Sequence, residues 1–173
     1  MIKFLQRSAK KPRPLKSNAL TYWASMKIIK TNNLNNDFID LTKQLDAELN
    51  ERYGVKQSVY DNHNLIDPID TAIIGYFKKT PVACGCFKIT NNTTIEIKRM
   101  FVQIKHRRKG FSTKILQSLE EWGSELGYSK AILETGREQP EAIALYQKFG
   151  YQIIENYGPY QGLENSVCME KLL

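Results

Sequence analysis

The chain has 173 residues, of which 42% are hydrophobic and 10% aromatic. That suits one domain around one core, and the longest apolar runs fall far short of the ~20 residues needed to span a bilayer. The net charge of +7 sits mostly at the front: residues 1–25 hold six of the 25 Lys and Arg and no acid, leaving 19 basic against 18 acidic residues in the rest. A nearly neutral body argues against nucleic acid or an anionic membrane as partner.

The leader, residues 1–25, lacks the apolar run of a secretory signal and offers little surface to bury, so a loosely ordered extension is expected ahead of a domain over 26–173. Residues 27–30 (KIIK) read as a strand. A helix follows over about 33–53, with Leu34, Phe38, Leu41, Leu45 and Leu49 at i, i+3, i+4 spacing and Gly54 as its stop. Residues 55–69 are polar, with Pro68 near the end, and suit a loop.

Three strand-like runs come next: TAIIGYFKK, PVACGCFKIT and TIEIKRMFV. The turn chemistry of Lys79-Thr80-Pro81 and Asn91-Asn92-Thr93 separates them, which predicts an antiparallel meander. Cys84 and Cys86 fall on one strand face, a geometry for packing and not for a disulfide, and a reducing cytoplasm is expected. His63 and His106 lie near no second ligand at metal spacing, so both read as loop residues.

A helix then runs to about Leu126, with Ile115, Leu116, Leu119, Trp122 and Leu126 on one face and Gly127 closing it. The run KAILET after it is a strand parallel to its predecessor, because a helical crossover joins them. QPEAIALYQKFG predicts a further helix with Pro140 in its first turn and Gly150 at its end. YQIIEN and SVCMEKLL close the chain as strands. The fold class is α/β: a single domain with a mixed central sheet, antiparallel first and parallel in the middle, with helices on both faces.

The chemistry concentrates between the third meander strand and the helix after it, at Arg107-Arg108-Lys109-Gly110-Phe111-Ser112. A strand that turns tightly into a helix leaves backbone N–H groups pointing outward, with the helix dipole behind them, and such a place binds phosphate. Gly110 lets the backbone approach a ligand. Neither the Walker pattern nor G-x-G-x-x-G is present, which disfavours nucleoside triphosphates and NAD.

This segment resembles the R/Q-x-x-G-x-G/A signature of the GNAT N-acetyltransferase superfamily, with Ser112 standing where the family usually has Gly or Ala. The run EAIALYQKFGY is similar to the family's second hallmark, L-Y-x-x-x-G-F/Y. The resemblance covers about residues 26–173 and extends to a bacterial small-molecule-type branch. It implies that acetyl-CoA binds with its pyrophosphate at Arg107, Arg108, Lys109, Gly110, Phe111, Ser112 and Thr113. The central parallel strands would splay to admit pantetheine, gripped by the backbone of Met100, Phe101 and Val102, and Gln139 would contact the cofactor or cap its helix.

An alkylamine with pKa near ~10.4 must lose a proton before it attacks. Glu96 stands eleven positions before Arg107, where histone-type members of the family place their base; otherwise it is a strand carboxylate paired with Lys98 on the same face. Tyr146 occupies the family's tyrosine position, as proton donor to the leaving thiolate, or else packs the core beside Leu145 and Phe149. Glu134 faces the acceptor amine or is a rim charge, and Tyr157 and Tyr160 are expected to line the acceptor pocket with the 55–69 loop.

The reading is a cytoplasmic N-acetyltransferase, monomer or homodimer, acting on a small amine or amino-acid-like acceptor in a ternary complex. Its competitors are acetylation of a protein Lys or N-terminal amine, and a non-catalytic acyl-CoA sensor.

Overall fold

Period-two runs become strands and period-3.6 runs become helices in a computed structural model that describes residues 24–54 and 69–173. Strand β1 is Met26–Thr31 and helix α1 is Asn36–Tyr53, followed by β2 (Ala72–Phe77), β3 (Thr80–Asn91) and β4 (Thr94–Val102). A 3-10 turn, Ile104–His106, leads into α2 (Phe111–Glu125) and β5 (Lys130–Gly136). Helix α3 (Pro140–Lys148), β6 (Gln152–Ile154), a second 3-10 turn (Gly158–Tyr160) and β7 (Ser166–Leu172) complete the chain.

Among the described residues the strands form one seven-stranded sheet in the order β1-β2-β3-β4-β5-β7-β6. The first four are antiparallel neighbours. The α2 crossover makes β4 and β5 parallel, as a helical connection requires. β7 inserts antiparallel between β5 and β6, an order the sequence pattern does not carry.

The two faces are covered by different helices. Phe111, Ile115, Leu116 and Leu119 of α2 and Tyr146 of α3 pack with Ile95, Ile97 and Leu133 on one face. Phe38 and Leu41 of α1 pack with Ile74, Cys84, Cys86 and Phe101 on the other. All three cysteines are buried and free; Cys84 and Cys86 donate weakly, at 3.5 Å, to the carbonyls of Arg99 and Lys98.

Three sequence expectations are corrected at element ends. Helix α1 begins at Asn36 with Asn35 as its N-cap, so Leu34 lies outside the helix and is 71% exposed. The cause is the Asn run: Asn32 Oδ1 accepts from Leu34 N and Asn35 Oδ1 from Asp37 N, local bonds that compete with helix. At the other end of the crossover, α2 stops at Glu125, so Leu126 turns out to solvent instead of continuing the apolar face. The β2–β3 turn falls at Lys78 and Lys79, both with positive φ (50° and 69°), while Thr80 already belongs to β3. The expectations for residues 1–23 and 55–68, including His63, lie outside the described residues.

Candidate active site

The parallel ladder between β4 and β5 runs from Thr94↔Lys130 to Ile97↔Leu133 and ends there. Beyond it β4 stays paired to β3 as far as Val102, and β5 stays paired to β7 as far as Gly136↔Ser166. Each strand keeps its outer partner while their facing edges, residues 98–102 and 134–136, part. A backbone edge freed in this way can bond an extended amide-bearing ligand.

A bulge sits on that edge. Cys84 pairs with Phe101 but Cys86 with Lys98, so Arg99 and Met100 share the space opposite Gly85, and Arg99 takes φ 57°. Period-two alternation is broken: Lys98 and Arg99 both face the α1 side, and Met100 is turned to the α2 side. Arg99 grips Asp46 of α1 with two nitrogens at 2.6 and 2.7 Å and also reaches the Thr42 carbonyl. This pair pins α1 to the bulged strand.

At the far end of β4 the basic segment makes its turn. Arg108 has φ 61° and Gly110 φ 80°, and Gly110 caps α2 with no side-chain acceptor. The amides of residues 111–113 therefore have no intrahelical carbonyl, and they donate to no other backbone carbonyl among the described residues. Lys105 and Arg108 are exposed beside them.

Two residues of this turn depart from the expected picture. The Arg107 guanidinium is already engaged, donating to the Val102 carbonyl at 2.9 Å and to Glu48 of α1 at 2.5 Å. It braces the turn against α1, which leaves the amides of residues 111–113 as the donors without a backbone acceptor. The Phe111 side chain is 1% exposed and packs on Phe77 and His106, so Phe111 can offer a ligand its backbone alone. Lys109 Nζ donates to the Lys105 carbonyl at 3.1 Å, while Ser112 and Thr113 lie in the first helical turn.

The acceptor-side candidates converge on the α1 face of the sheet. Glu96 Oε1 accepts from Tyr157 Oη at 3.1 Å, Tyr160 Oη at 3.2 Å and Lys98 Nζ at 3.5 Å. Lys98 Nζ also reaches Tyr160 Oη at 3.0 Å. The two tyrosine rings meet edge to face, 5.5 Å apart. Burial first, then the Glu96 charge, drives both phenols far above their ordinary 10, so they are neutral donors. Glu96 is thus paired with Lys98 and is the centre of this cluster.

Glu134 Oε1 accepts from Ser166 Oγ at 2.7 Å. Burial raises its carboxyl above the usual 4.5, Ser166 and Lys98 oppose the rise, and Glu96 adds to it. The Glu134 side chain is half-buried. Tyr146, 6% exposed, packs against Tyr151 with ring centroids 5.7 Å apart and rises from the α3 side to feel the Glu134 charge. Burial and that charge hold its phenol protonated. Gln139 occupies the N-cap of α3 without a side-chain capping bond. Its side chain lies beside the Tyr53 hydroxyl in the notch of Gly136, where a Cβ would stand 2.0 Å from that oxygen.

Sequence reasoning missed Asp46, Glu48, Tyr53, Arg99 and Ser166. The first two sit on a helix face that reads as solvated, and their partners lie more than fifty residues away. Among the described residues no group of His, Cys, Asp and Glu is arranged to hold a metal.

The profile of the "Acetyltransferase (GNAT) family" matches residues 37–151. The "IAA acetyltransferase" of Azospirillum brasilense is 33% identical over 137 residues, which are 78% of this chain and 90% of that protein. A Klebsiella pneumoniae structure assigned to the acyl-CoA N-acyltransferases is 29% identical, with a TM-score of 0.69 over 86% of this chain and 96% of the other. The PaiA N-acetyltransferase of Thermoplasma acidophilum, solved in complex with coenzyme A, shares the fold at TM-score 0.61 and 17% identity, over 86% of this chain and 99% of its own.

Proposed function

The chain belongs to the GNAT acetyltransferase family, and on that premise we propose that it moves acetyl from acetyl-CoA to the primary amine of a small or amino-acid-like acceptor. Acyltransferase activity dependent on acetyl-CoA is the family's property; the acceptor and the residue roles belong to the proposal. The observation that carries it is the parting of β4 from β5 beside an uncapped helix start, with Glu96 and Glu134 on the face that the gap opens.

The residues fit the cosubstrate in kind. Amides of residues 110–113, with Arg108 and Lys109 beside them, would hold a diphosphate, and the free edge at Met100, Phe101 and Val102 would meet pantetheine amides. Gly110 at φ 80° keeps that turn open to close approach. Bound acetyl-CoA supplies an activated thioester. Gln139, at the start of α3, flanks the same cleft.

The chain's own groups then divide the proton traffic. An arriving ammonium, pKa about 10.4, must become an amine. Glu96 is held through Oε1 by three donors, which leaves Oε2 outside those bonds to take the proton. A strand N–H at the bulge meets the developing oxyanion. Tyr146, kept protonated by burial, gives its proton to the departing sulfur. Attack is direct, because burial holds the Cys86 thiol at about 12 and drives Cys84 higher, so neither is a nucleophile at neutral pH.

Thiol release measured across a panel of amines tests this reading. Turnover should appear with at least one amine and fall by roughly a hundredfold in Glu96→Gln, the range for losing a general base. Tight acetyl-CoA binding without turnover on any amine would favour the sensor instead.

A further inference from the structure

Between the two carboxylates stands Lys98, one of the three donors that hold Glu96, and its own charge also bears on what the site accepts. Ile97↔Leu133 is the last rung of the parallel ladder, so the next rung in register would join Lys98 to Glu134. The strands part just there, placing Lys98 and Glu134 opposite each other across the mouth of the gap, on the same face as Glu96. Lys98 is bonded to Glu96 and to Tyr160 Oη, and its charge acts on Glu134 as well.

The charge count around this point is short. Glu96 and Glu134 contribute two negative charges and Lys98 one positive. Tyr157, Tyr160 and Tyr146 are neutral phenols, the Cys168 thiol is raised by burial and neutral, and Arg99 is neutralised by Asp46. Each carboxylate is anchored through Oε1, by the tyrosines and Lys98 in one case and by Ser166 in the other. The side-chain charge of the seat is therefore minus one, with one anchored oxygen on each acid and one oxygen outside those bonds.

We infer that the acceptor seat is built for a monocationic amine, and that Lys98 is the residue that rejects a second positive charge. The inference rests on the acetyl-transfer reading. One ammonium neutralises the seat; a second, a few ångströms further on, meets Lys98 with no carboxylate left to offset it. The half-buried Tyr157 ring, set edge to face on Tyr160, provides apolar surface for an uncharged body.

Butylamine and 1,4-diaminobutane, matched in length, are the probes. The wild-type enzyme should show the higher kcat/KM with butylamine after the diamine's two ends are counted. In Lys98→Met that preference should shrink by roughly tenfold, as expected for one charge in a partly solvated site, and Lys98→Arg should retain it. Lys98→Gln repeats the test should the methionine variant fold poorly. A wild-type preference for the diamine, or a ratio that neither neutral variant moves, overturns the inference and leaves the acetyltransferase reading intact. If neither amine is acetylated nor binds the acetyl-CoA complex, while a hydroxyl or thiol acceptor is acetylated, the amine-acceptor reading falls and takes this inference with it.

Discussion

Replacing Asp46 by Asn should cost more than replacing its partner Arg99 by Met. The pair joins α1 to the bulge of β4 through bonds of 2.6 and 2.7 Å, but its ends differ: the Arg99 side chain is 7% exposed and that of Asp46 44%. Asp46→Asn leaves a buried guanidinium without its countercharge, with one acceptor oxygen at position 46 in place of two, a weak bond of 3.4 Å to the Thr42 carbonyl, and an Nε that already lacks a partner. Breaking a fully buried pair costs ~3–5 kcal/mol and an exposed one under ~1, so about 2–3 kcal/mol is expected for this half-exposed case. Arg99→Met leaves a carboxylate that water can solvate, and about 1 kcal/mol is expected. Urea unfolding of both single variants and the double variant gives the order and a coupling of about 1–2 kcal/mol. Acetyl-CoA affinity, measured by calorimetry, should fall several-fold in each, because the bulge sets the edge at residues 98–102. An Arg99 variant as unstable as the Asp46 variant, with coupling near zero, would refute the argument: the bulge would then be held by its own ladder.

Two further outcomes follow from the buried acids. Tyr146→Phe should lower kcat by at least tenfold with little change in acetyl-CoA affinity, since it removes a proton donor and leaves the packing on Tyr151; equal turnover would remove Tyr146 from the chemistry. Glu134→Gln should raise the melting temperature at neutral pH. The wild-type carboxyl is raised above 4.5 in the fold, so its ionisation costs stability as pH climbs through the folded value. The gain should fade as pH falls below 4.5, where both states are protonated; a gain independent of pH would show that packing, not charge, is responsible.

The layered fold was legible because each element carries a clear period: the meander from its alternation and turn residues, the parallel pair from the helical crossover. Errors fell where local polar chemistry overrides periodicity. The asparagines before α1 bond their own backbone, which put Leu34 outside the helix, and the early stop of α2 exposed Leu126. The uncapped start of α2 was legible because a glycine entry into a helix leaves its first amides without intrahelical partners. The use of Arg107 was not, since Glu48 lies 59 residues earlier on a face that reads as solvated. Nor does anything in Ile97-Lys98-Arg99-Met100 announce a bulge. Simple alternation puts Met100 with Glu96 and Lys98, whereas the extra residue turns it to the opposite side and hands Arg99 to α1.

The most direct test is a crystal structure of the coenzyme A complex. The diphosphate should lie on the amides of residues 110–113 and pantetheine along β4 at residues 100–102 in the gap left by β5, with the thiol directed toward Tyr146, Glu96 and Glu134. Coenzyme A bound elsewhere, or a ladder between β4 and β5 closed past Ile97, would contradict this placement.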